Sequence, residues 1–186
     1  MICWGGVYFQ KTNTYPVETT LKGQFTLPTW MVVEDEPEIY ELLLAMFEMW
    51  GIECAGFVDG ESAISWIDAV NNGRYNGEIP ELALVDVRLP GKLNGLDVAE
   101  KLRNSTILGD MAIVMATAWK LNQVEHHEAA QRTGADLWLP KPLPRFNKLQ
   151  STLETVIKNR RIKNQTNNTQ NTRTIQKQNK HSKTDS

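Results

Sequence analysis

Carboxylates, a hydroxyl and an amine follow four of the short apolar runs in this sequence, each at the point where the run stops. The run at 82–86 ends on Asp86, and turn-forming residues come directly after it. The other groups of this kind are Glu34 and Asp35, Thr117, and Lys141. Ligands of open α/β sheets bind at the edge formed by the carboxyl ends of the strands. A single aspartate there is as often a turn or cap residue, so the interpretation depends on the whole set.

Three of these side chains are carboxylates, and bringing them together requires a neutralising partner. Two like charges about 4 Å apart repel by roughly 4 kcal/mol at an effective dielectric constant of about 20. A cluster of Glu34, Asp35 and Asp86 therefore needs a bound cation or a shared proton. A site of oxygen ligands with room for water suits Mg²⁺ better than a softer metal.

The same set of groups fits phosphoryl transfer. A carboxylate can act as a nucleophile and form an acyl phosphate. Asp86 is the best candidate because it stands alone at the end of its run. Mg²⁺, an amine and a hydroxyl can hold the phosphoryl oxygens as charge shifts during transfer. The predicted roles are metal ligands for Glu34 and Asp35, counter-charge for Lys141 and hydroxyl donor for Thr117.

The elements that must position these groups alternate between strand and helix. A strand buried on both faces has a continuous apolar run, and an amphipathic helix has apolar residues three and four apart. Strands are predicted at 29–33, 52–58, 82–86, 111–116 and 136–139. Helices are predicted at about 37–50, 60–70, 94–102, 121–132 and 146–157. This alternation predicts an α/β fold in which five helices cover both faces of a five-stranded parallel sheet.

Length and composition indicate one domain. The chain has 186 residues, of which 41% are apolar, and this is enough for a single core of ordinary size. We expect a weakly ordered N-terminal extension at 1–27, a folded domain at 28–158 and a disordered polar basic tail at 159–186. No run approaches the roughly 18 apolar residues of a membrane span, and no signal peptide is evident. Cys3 and Cys54 cannot form a disulfide framework, so a cytoplasmic setting is expected.

Charge is distributed unevenly along the chain. Residues 158–186 carry eight Lys and Arg and one acid, a net charge of +7, and the preceding residues carry 12 basic and 21 acidic residues, a net charge of −9. The acidic body argues against nucleic-acid binding by the folded part. The basic tail could contact nucleic acid or an anionic membrane. Its charges are diluted among Asn and Thr, which favours a solvated tail.

Four segments in order carry a resemblance to a known family. They are residues 33–36 with the acidic pair, 84–91 around Asp86, 116–118 with Thr117, and Lys141–Pro142. On these segments, residues 28–158 resemble a two-component response regulator receiver domain of the CheY-like family. The resemblance implies a doubly wound, flavodoxin-like sheet with strand order 2-1-3-4-5. It also implies that Asp86 is the phosphoacceptor and that Mg²⁺ is held by Glu34, Asp35, Asp86 and the backbone carbonyl of Arg88. Phosphoryl binding by Thr117, Lys141 and the Ala118 backbone N–H is implied as well. The peptide bond between Lys141 and Pro142 would be cis.

The resemblance further implies a signalling protein with only weak self-phosphorylation and self-dephosphorylation activity, and not an enzyme. A histidine kinase or a histidine phosphotransfer protein would supply the phosphoryl group. A downstream protein would be contacted through the face formed by the fourth helix, fifth strand and fifth helix. The polar residues after 158 cannot bury a core, so we expect a stand-alone receiver without a DNA-binding domain.

The sequence departs from the family pattern in its loop and its aromatic residues. The loop at 90–95 is one residue longer than usual. Trp138 occupies the place of the aromatic switch residue, usually Tyr or Phe, which together with Thr117 responds to the phosphoryl group. Arg88 and Trp119 stand at positions that flank the route of hydrolytic water in this family. Both are large, which predicts slow self-dephosphorylation.

Two alternative functions remain open from the sequence. A degenerate receiver would act as a binding module that does not depend on phosphorylation. A Mg²⁺-dependent phosphatase of the haloacid dehalogenase kind would also use an aspartate at a strand end. That class has a second acid two residues after its nucleophile, and Arg88 stands at this position here, which weighs against it.

Overall fold

Each of the five predicted apolar runs forms a strand, and a helix follows each one. The computed structural model describes residues 2–4, 7–9, 27–118 and 122–181. The elements are β1 (Ile2–Trp4), β2 (Val7–Phe9), β3 (Thr29–Val33), α1 (Pro37–Met49), β4 (Glu53–Phe57), α2 (Gly60–Asn71), β5 (Leu82–Asp86), α3 (Gly95–Arg103), β6 (Ala112–Thr117), α4 (Gln123–Thr133), β7 (Leu137–Pro140) and α5 (Phe146–His181). Among the described helices, none has the length and apolar character needed to cross a membrane.

The strands form one sheet in the order β1-β2-β4-β3-β5-β6-β7. The five strands from β4 to β7 in this order are parallel. Numbered along the chain without β1 and β2, they have the predicted order 2-1-3-4-5, and the predicted fold class is confirmed. The strand order reverses at β3, which lies between β4 and β5. A crevice for ligands opens at such a reversal.

Side chains of the central strands alternate between two hydrophobic cores. In β3, Met31 and Val33 belong to one core, whereas Trp30 and Val32 belong to the other. All five residues of β3 are buried, as expected for a parallel strand covered on both faces. The first core is completed by α2 and α3, and the second by α1 and α5. Helices therefore cover both faces of the sheet and fix the positions of its strand ends.

Polar residues begin the helices at the carboxyl edge of the sheet. The Asp59 carboxylate accepts a hydrogen bond from the Ser62 N–H at 2.7 Å and caps α2. Asn94 caps α3 with a capping box. The next residue, Gly95, lies so close to the chain that a Cβ there would overlap the Asp86 carbonyl oxygen. This close approach brings the start of α3 directly against the end of β5.

The N-terminal extension contains two strands that the sequence did not predict. β1 and β2 pair in antiparallel fashion, and β2 joins the sheet through Tyr8 opposite Gly56 of β4. The free edge of β4 offers unpaired backbone groups, which a short apolar strand can satisfy. The rest of the predicted extension, apart from Leu27, lies outside the described residues.

The last helix also differs from the prediction, because α5 continues through His181 instead of ending near residue 158. Hydrogen bonds to the body hold its continuation. Arg160 donates to the Gly109 carbonyl at 2.8 Å, and Asn164 donates to the Asp110 carbonyl at 2.9 Å. These bonds depend on the α3–β6 connection lying beside α5, which composition alone does not reveal.

Candidate functional site

Glu34 and Asp86 are brought together by the parallel pairing of β3 with β5. The register places Val33 opposite Val85, so the residue after β3 and the last residue of β5 lie at the same edge. The Glu34 N–H donates to the Phe57 carbonyl at 3.0 Å, which fixes the chain as it leaves β3. The side chains of Glu34 and Asp86 are only 2% and 6% exposed, so their charges require compensation.

Lys141 supplies that compensation from the end of β7. Its N–H donates to the Thr117 carbonyl at 2.9 Å, and the Lys141–Pro142 peptide is cis, as the family resemblance implies. The Nζ atom lies 2.8 Å from Glu34 Oε1, 3.2 Å from Glu36 Oε1 and 3.2 Å from Asp86 Oδ2. The buried ammonium group of Lys141 therefore contacts three carboxylates in charge-assisted interactions.

Burial determines the protonation behaviour of the two buried carboxyls. It raises the pKa of Glu34 above 4.5, although the hydrogen bond and charge of Lys141 oppose the change. Burial likewise raises the pKa of Asp86 above 3.8; Lys141 opposes this and the charge of Asp35 adds to it. For Lys141, burial acts to lower the pKa, but its contacts with Glu34 and Asp86 outweigh burial and raise the pKa above 10.5. Three carboxylates contact this one ammonium group, and this excess of negative charge favours binding of a further cation.

A group of three acidic side chains provides the ligands for such a cation. Oxygen atoms of Glu34, Glu36 and Asp86 all lie within 4.8 Å of one another. Glu36 has an extended backbone, and in an extended chain side chains two residues apart point to the same side. This set of oxygen ligands fits Mg²⁺. Asp35 is not in this group; its charge acts on Asp86, and its role as a metal ligand stays a prediction.

The other predicted phosphoryl-binding residues lie at the same edge of the sheet. Asp86 is paired with Ala116 in the β5–β6 register, so Thr117 lies one residue beyond the partner of Asp86. Thr117 in turn is opposite Pro140, one residue before Lys141. Ala118 follows as an exposed residue. The sheet register therefore places Thr117 and Lys141 at the same edge as Asp86.

Arg88 and Trp138, predicted for lifetime tuning and for the switch, both lie within the described part of the chain. Arg88 is exposed in the loop after Asp86, and Trp119 lies outside the described residues. Trp138 is partly buried opposite Met115 in the sheet. Its ring lies 5.0 Å from the ring of His126 on α4, measured between centroids.

The loop that follows Asp86 is fastened to the start of α2. Glu61 Oε1 accepts a hydrogen bond from the Lys92 N–H at 2.7 Å. Gly91 beside it has φ +95°, a conformation that favours glycine. Glu61, Glu36 and His126 have no predicted role from the sequence. The alternation of side chains in an extended chain could have indicated that Glu36 lies on the same side as Glu34. Glu61 and His126 contact residues of other elements, and no local sequence pattern indicates such contacts.

Comparison with protein-family models matches residues 30–154 to the response regulator receiver domain. The chain belongs to this family. As a receiver domain it is part of the signalling machinery of two-component systems. Its acidic site at the carboxyl edge, described above, agrees with Mg²⁺ binding, which is a property of the family.

Curated relatives of this receiver domain are longer than the chain. The DNA-binding response regulator MtrA of Mycolicibacterium smegmatis is 35% identical over 112 residues, which are 60% of this chain and 43% of MtrA. The DNA-binding dual master transcriptional regulator RpaA of Synechocystis is 28% identical over 116 residues, which are 62% of this chain and 44% of RpaA. The chain thus spans less than half of the length of these relatives.

Solved structures of receiver domains share the fold. The signal receiver domain of a modulated diguanylate cyclase from Desulfovibrio desulfuricans has a TM-score of 0.58 and 26% identity, with 74% of this chain and 99% of that chain covered. The receiver domain of the sensor histidine kinase PA1611 from Pseudomonas aeruginosa, solved with a magnesium ion coordinated in its active-site cleft, has a TM-score of 0.58 and 23% identity, with 71% and 98% covered.

Proposed function

We propose that Asp86 accepts a phosphoryl group from a phosphohistidine of a histidine kinase or a histidine phosphotransfer protein. The observation that carries the proposal is the buried Asp86 carboxylate 3.2 Å from Lys141 Nζ. A nucleophile needs a counter-charge near the group it attacks, and this geometry provides one. Residues 28–158 would form the receiver unit.

The transfer would proceed by attack of an Asp86 carboxylate oxygen on phosphorus. The phosphorus–nitrogen bond of the donor breaks, its electron pair returns to the imidazole of the donor, and an acyl phosphate forms on Asp86. Bound Mg²⁺ would neutralise the phosphoryl oxygens during this transfer. Lys141 would neutralise another phosphoryl oxygen, with hydrogen bonds from the Thr117 hydroxyl and the Ala118 N–H.

The proposed metal ligands are Glu34, Asp35, Asp86 and the Arg88 carbonyl. The acidic group of Glu34, Glu36 and Asp86 at this edge supports a Mg²⁺ site there. The charge of Asp35 also acts on Asp86, which supports its place in the proposed ligand set. A receiver domain with the same fold was solved with magnesium in its active-site cleft. We extend this binding to the present chain as part of the proposal.

Output of the signal would be a protein contact on the face formed by α4, β7 and α5. Self-phosphorylation and self-dephosphorylation would be weak side activities of the same site. Trp138 lies on β7 within this face and Lys141 directly follows the strand. A change at the phosphoryl group therefore has a short path along β7 to the proposed output surface.

The deciding experiment measures intact mass after incubation with Mg²⁺ and acetyl phosphate. We expect a mass gain of one phosphoryl group that requires Mg²⁺ and is lost in Asp86→Asn. Asp110→Asn, at an exposed position outside the site, should gain the same mass as the unmodified chain. A gain that persists in Asp86→Asn would contradict the assignment of the phosphoacceptor.

A second measurement tests the phosphodonor. Incubation with a histidine phosphotransfer protein carrying labelled phosphohistidine should move the label to the chain within minutes and leave Asp86→Asn unlabelled. If neither donor modifies the chain under any condition, the binding-module alternative is favoured.

A further inference from the structure

The loop between β5 and α3 carries the proposed metal-ligating carbonyl of Arg88, and its two ends are firmly held. At its start, Val87 is buried and its N–H donates to the Ala116 carbonyl at 2.9 Å. At its end, Asn94 caps α3 and the Gly95 N–H donates to the Val87 carbonyl at 3.1 Å. The apex at 90–93 is exposed or only partly buried. Its position therefore depends on contacts with another element.

The first turn of α2 supplies those contacts. Glu61 Oε1 accepts the Lys92 N–H at 2.7 Å, a short charge-assisted hydrogen bond. Both oxygens of the same carboxylate lie 2.6 Å from the point where a Cβ of Gly91 would stand. The Glu61 carboxylate thus packs against the backbone of the loop apex, in the space that a side chain at Gly91 would occupy.

Gly60, the residue before Glu61 on α2, makes a second close contact with the loop. A Cβ on Gly60 would overlap the carbonyl oxygen of Leu93, so the backbone of α2 touches the backbone of the loop. The start of α2 is itself fixed by the Asp59 cap. The loop apex is therefore held between a rigid helix start and the start of α3.

We propose that Glu61 is a positioning residue that fixes the loop after Asp86 and, through it, the carbonyl of Arg88. The inference rests on the proposed function, because it gives the Arg88 carbonyl its role toward Mg²⁺. Glu61 holds the turn at Gly91, whose φ of +95° favours glycine, through the hydrogen bond from the Lys92 N–H. Groups that orient a metal ligand from outside the ligand set affect metal affinity by about 10- to 100-fold.

The test compares three single variants of the full chain. Glu61→Ala removes the acceptor for Lys92, Glu61→Gln removes the charge but keeps an acceptor oxygen, and Glu41→Gln removes a charge at an exposed position on α1. Mg²⁺ affinity is measured by isothermal titration calorimetry. Amide exchange at Lys92 is measured by NMR in the metal-free protein.

We expect Glu61→Ala to weaken Mg²⁺ binding by about 10-fold and to speed exchange of the Lys92 amide. Glu61→Gln and Glu41→Gln should bind Mg²⁺ nearly as the unmodified chain does. An equal loss in Glu61→Ala and Glu61→Gln would assign the effect to charge and overturn the proposal. Unchanged affinity and exchange in Glu61→Ala would overturn it as well.

The same titration separates this inference from the proposed function. If the unmodified chain binds Mg²⁺ and Asp86→Asn binds it more weakly, the proposed metal site stands and only the role of Glu61 is in question. If the unmodified chain binds no Mg²⁺, the metal site of the proposed function fails, and the role of Glu61 toward it is rejected too.

Discussion

Lys141 and Glu34 stand 107 residues apart in the chain, and their side chains meet at 2.8 Å in the site. Their contact joins the end of β7 to the end of β3 across the two strands between them. Asp86 lies on one of those strands, and its Oδ2 is 3.2 Å from the same Nζ. The ammonium group of Lys141 thus provides the positive charge that partly neutralises both buried carboxylates.

Lys141→Ala is expected to destabilise the metal-free protein at neutral pH by about 2 kcal/mol, because it leaves buried carboxylates without a partner. Saturating Mg²⁺ should restore part of this loss, since a ligand that binds only the folded state stabilises it. Urea unfolding with and without Mg²⁺ measures both effects. Lys148→Ala, at an exposed position on α5, is the control. Equal stability of the two variants would contradict the role of Lys141.

The raised pKa values of Glu34 and Asp86 predict how stability changes with pH. In the metal-free protein the folded state binds more protons than the unfolded state between the ordinary pKa of each group, 3.8 for Asp86 and 4.5 for Glu34, and its raised pKa in the fold. Folding stability from these groups therefore falls as pH rises through their raised pKa values. Asp86→Asn should stabilise the metal-free chain at neutral pH by on the order of 1 kcal/mol.

This stabilisation should disappear as the pH is lowered below 3.8, where Asp86 is protonated in both states. Urea unfolding at several pH values in the presence of a chelator measures the difference between the two proteins. Asp110→Asn provides the matched control outside the site. A gain from Asp86→Asn that grows at low pH would contradict the direction of the pKa shift.

Arg160 is expected to contribute more to stability than its neighbour Arg161. The Arg160 side chain is 10% exposed and contacts Asp136 and the Gly109 carbonyl, whereas Arg161 is 67% exposed and pairs with Glu81. Arg160→Ala should cost about 2 kcal/mol and speed amide exchange beyond residue 158. Arg161→Ala should cost less than about 1 kcal/mol. Thermal unfolding and hydrogen exchange of both variants decide the comparison.

The large residues Arg88 and Trp119 are expected to slow self-dephosphorylation. Arg88→Ala and Trp119→Ala should each shorten the lifetime of the acyl phosphate several-fold, because water reaches the phosphoryl group more easily. The decay is followed by intact mass after acetyl phosphate has been removed. Arg74→Ala, at an exposed position before β5, should decay like the unmodified chain. An unchanged decay rate in both site variants would refute the prediction.

His126 is expected to set the environment of Trp138, because their rings lie 5.0 Å apart between centroids and such pairs contribute to packing. In a chain labelled with 5-fluorotryptophan, His126→Ala should shift the ¹⁹F resonance of Trp138, which is identified with Trp138→Phe. His127 is exposed on the same helix and contacts Gln131. His127→Ala should leave the resonance in place, and a shift in both variants would argue against a specific ring pair.

The sequence by itself determined the five parallel strands, their helices and the residues at the strand ends. These features follow from local patterns: apolar runs specify buried strands, and the polar residue after a run must lie at the sheet edge. Asp86 and Lys141 could therefore be named from residue type and spacing. The strand order and the cis Lys141–Pro142 peptide, by contrast, came from family resemblance, and the structure has both.

Only the tertiary structure decided which side chains meet across elements. Glu36 joins the acidic group because the chain stays extended after β3, and Glu61 reaches the loop apex because α2 starts beside it. The continuation of α5 depends on the contacts of Arg160 with a connection about 50 residues earlier in the chain. These are long-range contacts set by sheet register, loop conformation and helix packing. A polar side chain in a loop carries no local pattern that names its distant partner, so the sequence alone could not place them.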